Sequence, residues 1–349
     1  RAKGGFGLIT TGVLFTDTEI DYFDPKSMKS PLYNPTVFRR GAERLVERLG
    51  AYDTKLFCQA SMGVGRTAPG FKTPSPLPIY SIPSMTSTAL TTDEVKRKIE
   101  LMVKTAELYK KSGVHGIELH AVHWGYLLDQ FVMAMTNQRT DEYGGTLENR
   151  MRVVKEIIEG IHQTCGDDYP ISVRLGLKSY VKAFNKASLT GENEAGRTLE
   201  EGIEICKMLE SYGVNALSVD VGTYDSFYYA CPPAYMPKGH GLELYAKAKE
   251  AVKIPILAGS RMGDPWICAK ALRDGQADAF VLSRPSLADP EFPKKTELGM
   301  PEKIRPCIGC NFGCIGRVED QGLPPACAVN PRAMRESFYP PRKATTPKN

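Results

Sequence analysis

Residues 91–120 read TTDEVKRKIELMVKTAELYKKSGVHGIELH, and this stretch decides the fold. Thr91-Thr92-Asp93-Glu94 is a helix start signal, and the amphipathic pattern behind it runs to Lys111 and stops at Ser112-Gly113. Shortly after comes Gly116-Ile117-Glu118-Leu119-His120, a brief apolar run with the length of a buried strand. The unit recurs on both sides. Upstream lie Phe6-Gly7-Leu8-Ile9-Thr10-Thr11 and Lys55-Leu56-Phe57-Cys58-Gln59, and downstream Ile171-Ser172-Val173-Arg174-Leu175. Ala216-Leu217-Ser218-Val219-Asp220, Ile254-Pro255-Ile256-Leu257-Ala258 and Ala279-Phe280-Val281-Leu282-Ser283 complete the series. Helical patterns at 147–165, 200–212 and 265–274 separate them, the last two stopping at Gly213 and Gly275.

Such alternation predicts an α/β fold with a parallel sheet covered by helices. Seven strands are legible, where a TIM (β/α)8 barrel has eight. The first strand is expected ahead of Arg1, because Arg1-Ala2-Lys3-Gly4-Gly5 reads like a helix tail and its glycine stop. A doubly wound open sheet is the rival, but no Gly-x-Gly-x-x-Gly turn opens any of these helices. The expected division is a barrel over 1–300, a Cys-rich segment over 301–336, and a linker or truncated edge over 337–349.

The 349 residues are 42% hydrophobic and 24% charged, which excludes a disordered or collagen-like chain. The net charge of +5 is spread along the chain, so no nucleic-acid partner is expected. No apolar run approaches the ~20 residues of a membrane helix, and no signal segment is visible. A cytoplasmic protein without membrane association is therefore expected, with homo-oligomerisation left open.

Five of the nine cysteines are scattered, and four crowd together as Cys307, Cys310, Cys314 and Cys327 in the spacing C-x2-C-x3-C-x12-C. An odd total with one tight cluster indicates a reduced compartment and a metal site. A structural zinc usually shows two C-x2-C knuckles, and here there is one. Three close cysteines and a distant fourth suit a [4Fe–4S] cluster better.

A second motif follows the strand at 116–120, where barrels place their chemistry. His120 and His123 are three residues apart, with Tyr126 close behind. Two imidazoles can hold a carbonyl oxygen, and a neutral phenol can give a proton. The same pattern also fits a structural pair, or a metal pair awaiting a carboxylate. After the strand at 216–220, residues 223–235 are dense in aromatics, as either a wall for a flat apolar substrate or an ordinary hydrophobic satellite.

The stretch 120–150, with Leu127-Leu128-Asp129-Gln130-Phe131 and Asn137-Gln138-Arg139-Thr140-Asp141-Glu142-Tyr143-Gly144-Gly145-Thr146-Leu147-Glu148-Asn149-Arg150, resembles the Old Yellow Enzyme flavin family. The Cys cluster, Cys327-Ala328-Val329-Asn330-Pro331 and Arg284-Pro285-Ser286-Leu287-Ala288-Asp289-Pro290 resemble its iron–sulfur branch. That branch includes 2,4-dienoyl-CoA reductase, 2-enoate reductases, bile-acid Δ4-3-oxo steroid reductases and trimethylamine dehydrogenase. The resemblance implies a TIM barrel holding FMN. It places Gln59 on the flavin ring, Arg174 at the ring edge where negative charge develops, and Gly259, Ser260, Arg261, Ser283 and Arg284 on the FMN phosphate.

The implied reaction is ene-reduction of an α,β-unsaturated carbonyl compound: an enoate, a dienoyl-CoA or a 3-oxo-Δ4 steroid. His120 and His123 would bind the carbonyl oxygen, reduced FMN would give hydride to the β carbon, and Tyr126 would protonate the α carbon. Electrons would arrive through the cluster from an FAD/NAD(P)H domain or protein, a domain outside this chain. Amine oxidation of the trimethylamine dehydrogenase kind is the alternative, and a non-catalytic electron-transfer module a third. Three departures from the family pattern stand out. Trp124 is inserted before Gly125-Tyr126, Gln59-Ala60-Ser61-Met62-Gly63-Val64-Gly65-Arg66 lacks a common His, and the strand expected to precede Arg1 is absent from this chain.

Overall fold

A computed structural model of the chain describes residues 1–21 and 30–339. Strands β1 (Leu8–Thr10) and β2 (Leu14–Phe15) precede helix α1 (Pro35–Gly50) and strand β3 (Lys55–Ser61). Then come α2 (Thr92–Lys111), β4 (Gly116–Val122), α3 (Leu127–Val132), α4 (Leu147–Cys165) and β5 (Ile171–Gly176). A small hairpin, β6 (Val181–Ala183) and β7 (Lys186–Ala187), leads to α5 (Leu199–Ser211) and β8 (Ala216–Asp220). The chain continues through α6 (Phe227–Ala230), α7 (Leu242–Ala251), β9 (Ile256–Ala258), α8 (Pro265–Arg273), β10 (Ala279–Phe280), α9 (Ser283–Ala288) and α10 (Phe292–Glu297).

The sheet order is β1-β3-β4-β5-β8-β9-β10, all parallel, with β2 also pairing with β3. Strands neighbour one another in chain order without reversal, so there is no switch point of the doubly wound kind. This is a TIM-barrel-like half-barrel built from the seven strands legible in the sequence. Among the described residues no pairing joins β1 to β10, and no eighth barrel strand is present. The hairpin β6–β7 was not legible, and most of the expected linker over 337–349 lies outside the described residues.

Local chemistry explains the elements. Thr91 accepts from the Glu94 amide while Glu94 returns a bond to the Thr91 amide, a reciprocal cap that starts α2. Its buried face, Val95, Ile99, Met102, Ala106 and Tyr109, follows the helical repeat and lies in the core. Every residue of β4 is buried, as a strand covered on both sides by its neighbours and helices must be. The consequence for function is positional. His120, Gly176, Asp220 and Ala258 all stand at the C-terminal ends of adjacent strands, at one mouth of the half-barrel.

Candidate active site

The β4 strand changes character at its end. Its register against β5 shifts between His120 and Val122, and the chain then turns through Trp124 (φ 57°) and Gly125 (φ 73°). Two successive left-handed residues absorb the inserted Trp124. A non-glycine there costs about 1 kcal/mol or more, so the surroundings must hold it. They do: the Gly125 amide donates to Asp129 Oδ2 at 2.7 Å, and Gln130 Nε2 donates to the Gly125 carbonyl at 2.6 Å. Asp129 is anchored in turn by Arg197 Nη1 at 2.6 Å, with both side chains fully buried. Trp124 stacks on the His123 ring, centroids 5.3 Å apart.

The sequence-predicted trio is brought together. The His120 ring lies 4.7 Å from that of His123 and 4.6 Å from that of Tyr126. His123 Nε2 is 2.8 Å from Asp220 Oδ2, and His123 Nδ1 is 2.8 Å from His120 Nε2. A carboxylate brings no proton, so His123 carries N–H on Nε2 and accepts at Nδ1 from His120 Nε2–H. His120 Nδ1 is then bare, and it has no partner among the described residues.

Arg174 closes the network. Its Nη2 donates to Asp220 Oδ2 at 2.7 Å and its Nη1 to Ser218 Oγ at 3.2 Å, while Nε lies 3.3 Å from His123 Nε2. Burial alone would raise the Asp220 carboxyl, but His123 and Arg174 outweigh it and hold it below its ordinary value. Burial, reinforced by His123 and Arg174, pushes His120 well below 6.5. Burial also lowers His123, against the pull of Asp220. Both imidazoles are therefore neutral at pH 7. Gln59 lies on β3, beside β4, with its Nε2 donating to Glu118 Oε1 at 2.6 Å.

Burial raises the Tyr126 phenol, which keeps it protonated. An aromatic wall stands above it: Tyr224 stacks on Tyr126 at 5.9 Å, and Trp124 meets Tyr224 and Phe227 edge-on at 5.8 and 6.0 Å. Of the loop 223–235, Tyr224 and Phe227 thus join the active-site cluster.

The loop after β9 also departs from ordinary backbone. Ser260 (φ 58°) and Arg261 (φ 57°) are consecutive non-glycine residues in the left-handed region. Among the described residues Arg261 Nε is buried without a partner, and so is Nε2 of His240, which burial and Arg261 depress to about 4. A loop of this form, bearing a cation with an unspent donor, is suited to an anion such as phosphate. Ser283 opens α9, and Arg284 turns toward the Cys-rich segment, donating to the Pro232 carbonyl at 2.8 Å and bonding Asn311 Oδ1.

Cys307, Cys310, Cys314 and Cys327 all line one small cavity of about 20 Å³, together with Arg284 and Leu287 of α9. The four are unpaired thiols. Among the described residues no set of three His, Cys, Asp or Glu side chains is drawn together as a single ion requires. The segment is bonded to the barrel: Asn311 Nδ2 donates to the Cys231 carbonyl at 2.7 Å, and Asn330 Nδ2 to the Leu287 carbonyl at 2.8 Å.

Sequence reasoning missed Asp220, Asp129 and Arg197 as parts of the site. Asp220 carried a signal, a carboxylate at the C-terminal end of a barrel strand. Arg197 carried none, since it stands 68 residues from Asp129.

Residues 1–303 match the NADH:flavin oxidoreductase / NADH oxidase family. The chain is similar to a cinnamate reductase of Clostridium sporogenes, 43% identical over 99% of this chain and 53% of that protein. It is also similar to an NADH oxidase of Thermoanaerobacter brockii, 36% identical over 97% of this chain and 50% of that one. Among solved structures, a 2-naphthoyl-CoA reductase complex superposes with a TM-score of 0.81 at 30% identity, covering 95% of this chain and 50% of that one. Histamine dehydrogenase from Rhizobium sp. 4-9 gives 0.82 at 27% identity, covering 96% and 47%. The chain thus spans about half the length of these relatives.

Proposed function

The chain belongs to the NADH:flavin oxidoreductase / NADH oxidase family, and from that premise we propose that it carries the FMN and [4Fe–4S] sites of an ene-reductase acting on α,β-unsaturated carbonyl compounds. The observation that carries the reading is the convergence of His120, His123 and Tyr126 at the strand mouth, backed by Asp220 and Arg174. Cinnamate and 2-naphthoyl-CoA in the relatives' names, with the aromatic wall of Trp124, Tyr224 and Phe227, favour an aryl-bearing substrate.

The residues present fit both groups. Gly259, Ser260 and Arg261, with the buried unspent Arg261 Nε, would hold the FMN phosphate. Ser283 and Arg284 border that region, and Arg284 stands between it and the cysteines. Gln59 and Arg174 would meet the ring. The cavity among Cys307, Cys310, Cys314 and Cys327 has the all-thiolate donor set that a [4Fe–4S] cluster takes. FMN, when bound, supplies hydride chemistry, and the cluster one-electron transfer from an FAD/NAD(P)H domain or protein. The functional units are then the barrel over 1–300 and the cluster segment over 301–336.

The chain's own residues do the rest. The expectation that both imidazoles bind the substrate oxygen is corrected: both ring nitrogens of His123 are engaged, by His120 and Asp220, so His120 alone would face the oxygen while His123 and Asp220 hold its ring. Arg174 keeps Asp220 ionised and sets a fixed cation at the mouth. Tyr126 holds the proton for the α carbon. Trp124, Tyr224 and Phe227 exclude water from the reacting bond.

Anaerobic quantification of flavin, iron and sulfide in the full-length protein, with turnover on a panel of enones and enoates, tests this. About four irons, as the cubane requires, one FMN and enone turnover are expected. One zinc without flavin would refute the redox reading. Turnover of trimethylamine instead would assign the protein to the amine-oxidising relatives.

A further inference from the structure

We propose that Tyr224 and Glu319 form a proton path that recharges Tyr126 after each turnover, so that the Cys-rich segment supplies a working group to the barrel's active site. The inference rests on the assignment of Tyr126 as proton donor. The Tyr126 and Tyr224 hydroxyls are 3.5 Å apart, and their rings are stacked with an interplanar angle of 14°. The Tyr224 hydroxyl donates to Glu319 Oε2 at 3.1 Å. Glu319 ends the helical turn Arg317–Glu319 and is exposed to water, whereas Tyr126 and Tyr224 are half-buried among Trp124, Phe227 and His120. Two contacts thus connect the half-buried acid to a solvated carboxylate on a different segment.

A proton donor must be refilled. Once Tyr126 has given its proton, burial disfavours the phenolate left behind, and that phenolate takes a proton readily. The Tyr126 O–H bond breaks as the α C–H bond forms, and the phenolate takes the Tyr224 hydroxyl proton. The Glu319 carboxylate, exposed to water, picks up a proton from solvent hydronium and passes it to the Tyr224 oxygen, which returns Glu319 to the carboxylate that accepts from Tyr224. No electrons move along the path, and no co-reactant is needed beyond the proton of the reduction itself. The segment that holds the cysteines would then deliver protons as well as electrons to one site, from opposite ends of a single loop: Cys314 at one side and Glu319 five residues on.

The test uses the full-length protein with its cofactors, reduced anaerobically and mixed with the unsaturated carbonyl compound that the wild type turns over fastest. Flavin reoxidation is followed in H2O and D2O. Glu319→Gln and Tyr224→Phe are each expected to slow reoxidation roughly tenfold or more and to change its solvent isotope effect. Glu319→Asp, which keeps a carboxylate, and added acetate on Glu319→Gln are each expected to restore rate, which packing alone would not produce. Wild-type rates and isotope effects in Glu319→Gln and Tyr224→Phe, with Tyr126→Phe slow, would overturn the path and leave the Tyr126 assignment standing. A fast Tyr126→Phe would overturn both.

Discussion

A carbonyl oxygen accepts hydrogen bonds, so an imidazole that binds it must present N–H. In the resting network His120 spends its proton on His123, and its free Nδ1 is an acceptor. One added proton reverses this. His123 then donates to both Asp220 and His120, and His120 offers Nδ1–H outward. Both imidazoles are depressed below 6.5, so at pH 7.5 the resting pair is neutral and binding must draw a proton in. Uptake of about one proton per unsaturated ketone bound is expected at pH 7.5. It should vanish as pH falls through the pair's own lowered value, where the proton is already present. Indicator-dye measurements in weak buffer check this, and binding without uptake at pH 7.5 would count against it. Asp220→Asn removes the counter-charge of half-buried Arg174 and should cost about 2 kcal/mol or more in urea unfolding, with loss of turnover. His120, His123 and Tyr126 were legible as two of only five histidines, three residues apart at a strand end, with a tyrosine close behind, and Arg174 through the family resemblance. Asp220 was visible only as a strand terminus. Its role depends on β5 and β8 lying side by side, with Gly176 opposite Asp220, and chain spacing does not carry that.

The corner between β4 and α3 sets where Tyr126 lies. A β-bulge, two left-handed residues and the Asp129–Arg197 pair together take up the inserted Trp124 and still leave Tyr126 against His120. A Cβ on Gly125 would meet nothing nearer than Thr223 Cβ at 3.8 Å, so Gly125→Ala is penalised by backbone conformation and not by a clash. It should cost ~1–2 kcal/mol in chemical denaturation. Asp129→Ala strands a buried guanidinium and the Gly125 amide, and should cost about 3–5 kcal/mol. A loss of stability in Asp129→Ala no greater than in Gly125→Ala would show the corner to be held otherwise. The capped helices were readable from period and caps, and the seven barrel strands, β10 with two paired residues included, from the longer apolar runs in which they lie. The two-residue β2 is too short to show a period, and the β6–β7 hairpin turns through Phe184-Asn185, with Asn185 at φ 59°, without the Asn-Gly signal that marks such turns.

At the scale of the molecule, two chemistries share one wall. Arg284 lies against the cysteine cavity, close to Arg261 of the loop suited to phosphate, and Glu319 reaches the active-site tyrosines from the same segment. The cysteine spacing was legible. The seat of the segment was not, because it depends on single hydrogen bonds such as Asn330 to Leu287 that have no sequence period. If barrel and cluster segment are separable cofactor sites, Cys314→Ser should lose iron and sulfide yet keep about one flavin per chain, read from the visible spectrum after desalting. Anaerobic rapid mixing tests the direction of the chemistry most directly. The reduced full-length protein is mixed with an aryl enoate or enone while flavin absorbance and the saturated product are followed. Reoxidation of the flavin with one equivalent of saturated product is expected. A flavin that stays reduced with every such compound, and an oxidised flavin that is bleached by a methylated amine, would contradict that direction.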